Sequence, residues 1–291
     1  MLPRILAIVF PVFAIVFVGW CYGRRRPLDM SAANALNLDV FTPMLVFSAL
    51  ATQHVALEHY GAIALAGTLV VLGSGLLGWP LAHLFKQQKK TLLPPLMFNN
   101  SGNMGLPLVL LAFGEKAMPV AVVLFLIENV LHFSLGVWML DHHARLSNLW
   151  KIPLLIAGVA GIVVGQSGIA LWPPLTKALQ MLADVCVPLM LFSLGMRLSV
   201  ADWHGLRSGL LGAIACPVLG MLVAAACAPL FGLDREQAGI LLVFGALPPA
   251  VLNYMFAERY NQEPDKVAAI VMAGNALSII IVPIALLLAL D

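Results

Sequence analysis

Charged residues are scarce in this sequence. Only 10% of the 291 residues are Asp, Glu, Lys or Arg, whereas 61% are hydrophobic. Soluble domains carry about a quarter charged residues, so the composition predicts a protein of the lipid bilayer and excludes an ordinary soluble domain. The net charge of +2 supplies no basic surface for nucleic acid, and we expect no nucleic-acid partner.

The sequence also lacks the motifs of a metal site or an enzyme. Its four cysteines lie in or beside apolar runs without CxxC spacing, which is typical of packing residues. There is no HExxH motif and no apposed catalytic pair. We therefore predict no metal, no cofactor and no enzymatic activity.

Long apolar runs are what the sequence has in abundance, and each approaches the roughly 20 residues that cross a bilayer as a helix. The run from Ile5 to Trp20 ends at three arginines, which favours a retained span over a cleaved signal peptide. We predict an all-α integral membrane protein. Its ten spans lie at residues 3–22, 35–53, 60–85, 91–113, 117–140, 150–170, 178–198, 206–231, 237–257 and 266–289.

Basic residues are divided unequally between the two faces that these spans define. The first face holds Arg4, Lys116, Lys177 and Arg235. The second holds Arg24, Arg25, Arg26, Lys86, Lys89, Lys90, Arg145, Lys151, Arg197, Arg207, Arg259 and Lys266. Because short cytosolic loops are enriched in Lys and Arg, we expect both termini on the non-cytosolic side, which is the periplasm in a bacterium.

The two halves of the chain resemble each other. Residues Asp39–Ser48 and Asp184–Ser193 share the pattern Asp-Val-x-x-Pro followed by Phe-Ser at a constant spacing of 145 residues, and Phe98 matches Phe244 at 146. Since five spans per half is an odd number, the second half enters the membrane from the opposite side, as in the inverted repeats of secondary transporters. The predicted repeats are residues 1–147 and 148–291.

The fourth and ninth spans contain residues that oppose a continuous helix. Prolines, glycines and asparagines interrupt both, and broken spans at matching positions indicate a transporter binding site. A half-helix starting after a break presents free N–H groups and a partial positive charge, which attract an anion. The predicted substrate-binding residues are Asn99, Asn100, Ser101, Asn103, Pro107, Pro248, Pro249 and Asn253.

The run from Asn99 to Leu108 resembles the broken fourth helix of the auxin efflux carrier family, and Pro248-Pro249 with Asn253 resembles its ninth. The short link between the halves is similar to the bacterial branch. The resemblance implies crossing helices 4 and 9, as in bile acid sodium symporters, with helices 1, 2, 6 and 7 as a scaffold and helices 3–5 and 8–10 as a mobile core. It also implies a homodimer through the scaffold helices, a bacterial inner membrane location, and cargo such as malonate or malate.

Four titratable residues are candidates for ion coupling or gating. Glu128 and His132 lie one turn apart on the fifth span, and ionisable residues inside a membrane indicate function; a hydrogen bond from a protonated Glu128 is the structural alternative. Asp39 and Asp184 are the repeat-related carboxylates, for which stabilisation of a helix start is equally open. Coupling to H+, coupling to Na+ and uncoupled movement all remain open.

These features together predict a secondary transporter that moves a small organic anion, a carboxylate or dicarboxylate, by alternating access. The alternative is a membrane ligand sensor or receptor that uses the same fold. The identity of the anion and the direction of movement do not follow from the sequence.

Overall fold

The structure is a computed structural model that describes residues 2–26, 28–51, 58–142, 151–200 and 206–290, where every regular element is helical. Contiguous helical turns join into twelve helices in this part of the chain. They are α1 (Leu2–Arg25), α2 (Ser31–Ala51), α3 (Glu58–Leu84), α4 (Lys89–Met97), α5 (Ser101–Phe113), α6 (Glu115–Leu140), α7 (Pro153–Ser167), α8 (Pro173–Ser199), α9 (Leu206–Leu230), α10 (Arg235–Gly245), α11 (Val251–Arg259) and α12 (Pro264–Leu290).

Seven of these helices are long and apolar enough to cross a membrane: α1, α2, α3, α6, α8, α9 and α12. Helices α5 and α7 are apolar but shorter. Large apolar side chains such as Phe10 and Leu76 stand on the outside, 73% and 75% exposed. Such surfaces are stable against lipid and would be costly in water, so the fold is that of an all-α integral membrane protein.

The predicted spans correspond to the helices with shifted ends. The fourth predicted span is divided into α4 and α5, and the ninth into α10 and α11. The seventh begins at Pro173, five residues before the predicted start, because proline is well suited to the first turn of a helix. The predicted boundary between the halves, at 147 and 148, lies outside the described residues, as do the predicted end of the second span at 53 and the start of the sixth at 150.

Helices α1, α2, α7 and α8 pack against one another, and we call them the first helix group. Glycine lets α1 and α8 touch through their backbones. A Cβ atom added at Gly19 would lie 2.3 Å from the Phe192 carbonyl oxygen, and one at Gly195 would lie 2.0 Å from that of Val16. Small residues at such contacts give the close packing on which membrane helices depend.

The remaining helices form the second helix group, centred on α9, which contacts α3, α4, α10 and α12. Here too glycine allows two helices, α9 and α10, to pack closely. A Cβ atom at Gly220 of α9 would lie 2.1 Å from the carbonyl oxygen of Gly245, the last residue of α10. This contact holds the end of α10 deep inside the second group, beside the break that follows it.

Three helices contain a π-helical turn, a wider turn that often occurs at functional sites. Two of them precede a proline: Asn37–Phe41 stands before Pro43, and Ser101–Gly105 before Pro107. Proline lacks an N–H and its ring clashes with the carbonyl four residues back, so the wider turn removes the conflict. The third, His132–Gly136 in α6, contains no proline and lies at the candidate site.

Candidate functional site

The two broken helices cross where their chains are extended. Asn99 and Pro249 form an antiparallel bridge. The Asn100 N–H donates to the Pro248 carbonyl at 2.7 Å, and the Ala250 N–H donates to the Phe98 carbonyl at 3.0 Å. Each break thereby satisfies backbone groups of the other, which is what irregular backbone at membrane depth requires.

Two asparagines cap the helix ends that the breaks expose. The Asn99 amide donates to the Phe244 carbonyl in α10 at 2.5 Å, and the Asn253 amide donates to the Phe98 carbonyl after α4 at 2.8 Å. The last carbonyls of a helix have no partner within the helix, and these side chains supply one. The capped residues are the same two phenylalanines that match between the halves.

Asn100 belongs to a separate hydrogen-bonded chain. Its amide donates to the Asn275 side-chain oxygen at 2.9 Å, and the Asn275 amide donates to the Pro249 carbonyl at 3.1 Å. Asn275 in α12 was not among the predicted site residues. Its polar side chain in an apolar span was the only sequence signal for this role.

A cavity of about 90 Å³ lies between the crossing and α6. Its walls include Asn99, Asn103, Glu128 and His132, so the structure brings both helix-borne ionisable residues to the crossing. Among the residues that the structure describes, none forms a hydrogen bond with the buried Asn99 Oδ1, either Glu128 carboxyl oxygen or the His132 Nε2. A space of this size is large enough to hold water or a small ion.

The π-helical turn of α6 positions His132. Its imidazole stacks on the Phe98 ring with centroids 4.1 Å apart and meets the Phe256 ring edge-on at 5.1 Å. A Cβ atom at Gly136 would lie 2.9 Å from both the His132 and Phe98 rings. Glycine at this position therefore makes room for the stack, which ties α6 to both broken helices.

Some hydrogen-bond donors at the crossing remain free. Asn103 is half-buried, and its side chain has no hydrogen-bond partner in the part of the chain that the structure describes. The first backbone N–H groups of α5, beginning at Ser101, also have no backbone acceptor there. The Ser101 hydroxyl lies within interaction range of Glu128. Donors for an anion and acceptors for a cation thus line one cavity.

The other predicted residues lie elsewhere. Asp39 is exposed on α2. Asp184 on α8 is exposed, accepts a hydrogen bond from Gln180 at 2.9 Å, and lines a cavity of about 300 Å³ between the two helix groups. Pro107 is buried in the first turns of α5 and does not appear among the described residues that line the cavity at the crossing. Neither aspartate reaches the crossing.

Comparison with known proteins agrees with this architecture. A family model described as a membrane transport protein matches residues 4–149 and 144–286. An uncharacterized transporter of Methanocaldococcus jannaschii is 23% identical over 297 residues, which cover 94% of this chain and 96% of that protein. The chain therefore belongs to the membrane transport protein family, that of the auxin efflux carriers, and is a multi-pass membrane transporter.

Proposed function

We propose that this protein carries a small organic anion, a carboxylate or dicarboxylate, across the bacterial inner membrane by alternating access. The observation that carries the proposal is the crossing of two broken helices beside a cavity with free donors and orphaned acceptors. Broken helices that cross at a polar cavity are a recurrent way to build a transport site inside a membrane.

The proposed architecture is a pair of inverted five-helix repeats, residues 1–147 and 148–291. Its support is the packing into two helix groups, the first of which contains the four helices expected to form the scaffold. The second group would be the mobile core. The proposal includes termini on the periplasmic side, from the distribution of basic residues, and a homodimer through the scaffold, from the family resemblance.

The donors at the crossing are assigned to the anion. Asn103 supplies a free side-chain amide, and the first turn of α5 supplies free N–H groups at the positive end of the helix. Asn99, Asn100 and Asn253 use their amide donors within the protein. In this assignment they, with the two prolines, hold the site in shape, and Asn103 contacts the cargo.

The acceptors at the crossing are assigned to a coupling ion. The Asn99 oxygen, the Glu128 carboxylate and the His132 ring nitrogen would receive a proton or a sodium ion. No Lys or Arg is among the described residues that line the cavity. An isolated carboxylate in a membrane is costly, so binding the cation would remove the penalty. Asp184, at the cavity between the helix groups, is proposed for gating, whereas the exposed position of Asp39 supports no direct contact with either ion.

The proposal is tested by radiolabelled malonate and malate uptake into proteoliposomes, with and without imposed pH and Na+ gradients. We expect saturable uptake that falls at least about tenfold in Asn103→Ala, because the carboxylate of the bound acid loses the charge-assisted hydrogen bond from the Asn103 amide. The control is Asn34→Ala, on the half-buried face of α2, which should transport normally. Acceleration by one gradient, lost in Glu128→Gln, would identify the ion.

Absence of uptake of either acid under every gradient, by protein that remains folded, would contradict the proposed cargo. Tight binding without transport in the same preparation would favour the alternative, a membrane ligand receptor built on this fold.

A further inference from the structure

A third cavity, of about 310 Å³, lies between α8 of the first helix group and α11 and α12 of the second. Most of its wall is apolar. Its polar lining consists of Arg197, Tyr254, Asp265 and Asn275. The volume fits a small organic acid, and the position between the two helix groups is one that would open and close if they moved.

Arg197 is the unusual member of this wall. Its side chain is half-buried, and its guanidinium has no hydrogen bond or ion pair with any residue that the structure describes. Guanidinium presents a rigid fork of donors that matches a carboxylate. A partly buried arginine without a protein partner, at the edge of an empty cavity, therefore has its donors free for a ligand.

The two carboxylates near this cavity, Asp265 and Glu258, interact with groups other than Arg197. Asp265 is exposed in the first turn of α12, where a negative charge is stabilised by the helix dipole. Tyr254 donates its hydroxyl to Glu258 at 3.0 Å. Neither carboxylate lies within ion-pair distance of Arg197.

The cavity near Asp184 provides the contrast. It is also formed between the two helix groups, about 20 Å away along α8 by the 1.5 Å rise per residue. Glu115 and Asp184 are the charged residues of its lining, and no Lys or Arg lines it within the described ranges of the chain. The electrostatics of these two cavities thus differ, and an anion would be favoured only in the one that contains Arg197.

The Arg197 cavity also borders the crossing. Val251, the first residue of α11, lines both this cavity and the one beside Glu128. Asn275 lines the Arg197 cavity and holds Asn100 and the Pro249 carbonyl. A bound acid would therefore lie against α11 and α12, beside the broken backbone.

We propose that the cavity between α8, α11 and α12 is a carboxylate-binding chamber in which Arg197 receives one carboxylate of the cargo. The inference rests on the proposed function, because it takes an organic anion as the cargo. It adds a cationic residue on the first helix group, so that one ligand would join both groups. In this proposal the second carboxylate of a dicarboxylate faces α11 and α12, on the side of the crossing.

Two arms test this chamber. In the first, malonate uptake by Arg197→Gln should fall at least about tenfold, because one charge-assisted pair is lost. Arg197→Lys should raise KM several-fold with kcat nearly unchanged, because ammonium keeps the charge but not the fork. Arg259→Gln, which removes an exposed arginine from α11, is the matched control and should stay within about twofold of the wild type.

In the second arm, wild-type protein is treated with phenylglyoxal, which modifies arginines, with and without acetate, malonate, malate or citrate. Mass spectrometry should show that a dicarboxylate protects Arg197 and leaves Arg259 unprotected. This arm needs no variant to fold.

The outcomes separate the two proposals. Normal malonate uptake by Arg197→Gln, or uptake without protection of Arg197, would overturn the chamber and leave transport standing. Protection of Arg197 without uptake would support the chamber and contradict transport. Neither uptake nor protection with any of the four acids would overturn both.

Discussion

At the residue scale, the asparagines of the crossing illustrate how side chains replace a helix's own hydrogen bonds. Asn99 and Asn253 each donate to a carbonyl of the opposite broken helix. The exchange is reciprocal, so each half of the chain stabilises the break in the other. This explains how two interrupted helices remain stable inside the membrane.

Replacing Asn99 with alanine should destabilise the fold by about 0.5–1.5 kcal/mol, because the Phe244 carbonyl loses the Asn99 amide and keeps only the longer hydrogen bond from the Leu247 N–H at 3.3 Å. Thermal unfolding of the detergent-purified protein measures the change. Asn34→Ala, away from the crossing, is the control and should unfold at nearly the wild-type temperature. Equal stability of the Asn99 and Asn34 variants would show that the cap is not needed.

The sequence predicted the place of the site better than the task of each residue. Proline and glycine located both breaks, and helical spacing placed Glu128 and His132 on one face, as the cavity shows. The acceptor of the Asn99 amide is the Phe244 carbonyl, which lies 145 residues away in the chain. Nothing local in the sequence encodes that contact, so the capping role of Asn99 emerged only from the structure.

At the scale of helices, glycine contacts set the distances in the second group. Alanine at Gly220 would place a Cβ 2.1 Å from the Gly245 oxygen, which forces α9 and α10 apart. We expect a loss of about 1–3 kcal/mol, typical of overpacking. Thermal unfolding again measures it.

The matched control for Gly220→Ala is Gly61→Ala in α3, where an added Cβ meets nothing within 4 Å. This variant should be neutral or slightly stabilising, because alanine favours the helix. Comparable destabilisation of both variants would contradict the close contact between α9 and α10.

The connection between α11 and α12 is fastened to α4 through Glu263. Its carboxylate accepts a hydrogen bond from Thr91 at 2.6 Å and pairs with Lys266. The Lys266 and Thr91 hydrogen bonds lower the pKa of Glu263 from its usual 4.5. Because the folded pKa is depressed, the stabilisation is present above the unfolded pKa and lost as pH falls through the folded value.

We therefore expect the difference in melting temperature between wild type and Glu263→Gln to shrink as pH falls from 7 to below about 4. The effect at neutral pH should be at most about 1 kcal/mol, since the group is partly exposed. Thr91→Val, which removes one donor, should show a smaller change of the same sign. A difference that does not vary with pH would contradict the role of this carboxylate.

The π-helical turns show the limit of prediction for the helices. The prolines of the fourth predicted span indicated a break in the helix. However, Pro94 and Pro95 lie within α4, and the backbone leaves the helix only around Asn99. Pro94 and Pro95 are the sixth and seventh of the nine residues of α4, so the helix lacks the two backbone hydrogen bonds that N–H groups there would donate. The turn at His132 has no proline, and its imidazole stacks on Phe98, which follows α4 in the break.

At the scale of the whole molecule, the two helix groups meet at cavities of opposite chemical character. The cavity near Asp184 is acidic, and the other contains Arg197. The repeat in the sequence predicted matching halves but not this difference, because Asp39, the counterpart of Asp184, does not line the Arg197 cavity. Motion of one group past the other would alternately expose the crossing, which is the central claim of the proposed mechanism.

That claim is tested most directly by locking the two groups together. Leu126 of α6 lies against Gly158 of α7, where an added Cβ would be 3.7 Å from the Leu126 Cγ. Cysteines at these two positions can form a disulfide across the groups. Thr42→Cys offers the control, because Thr42 Oγ1 lies 3.3 Å from the Cys186 sulfur within the first group.

The decisive measurement is malonate uptake after oxidation with copper phenanthroline, and again after reduction. The account predicts that the Leu126→Cys/Gly158→Cys bond stops uptake reversibly, whereas the Thr42→Cys bond and oxidised wild type leave it intact. Full uptake with the bond between the groups formed, as verified by mass spectrometry, would contradict movement of the second group past the first.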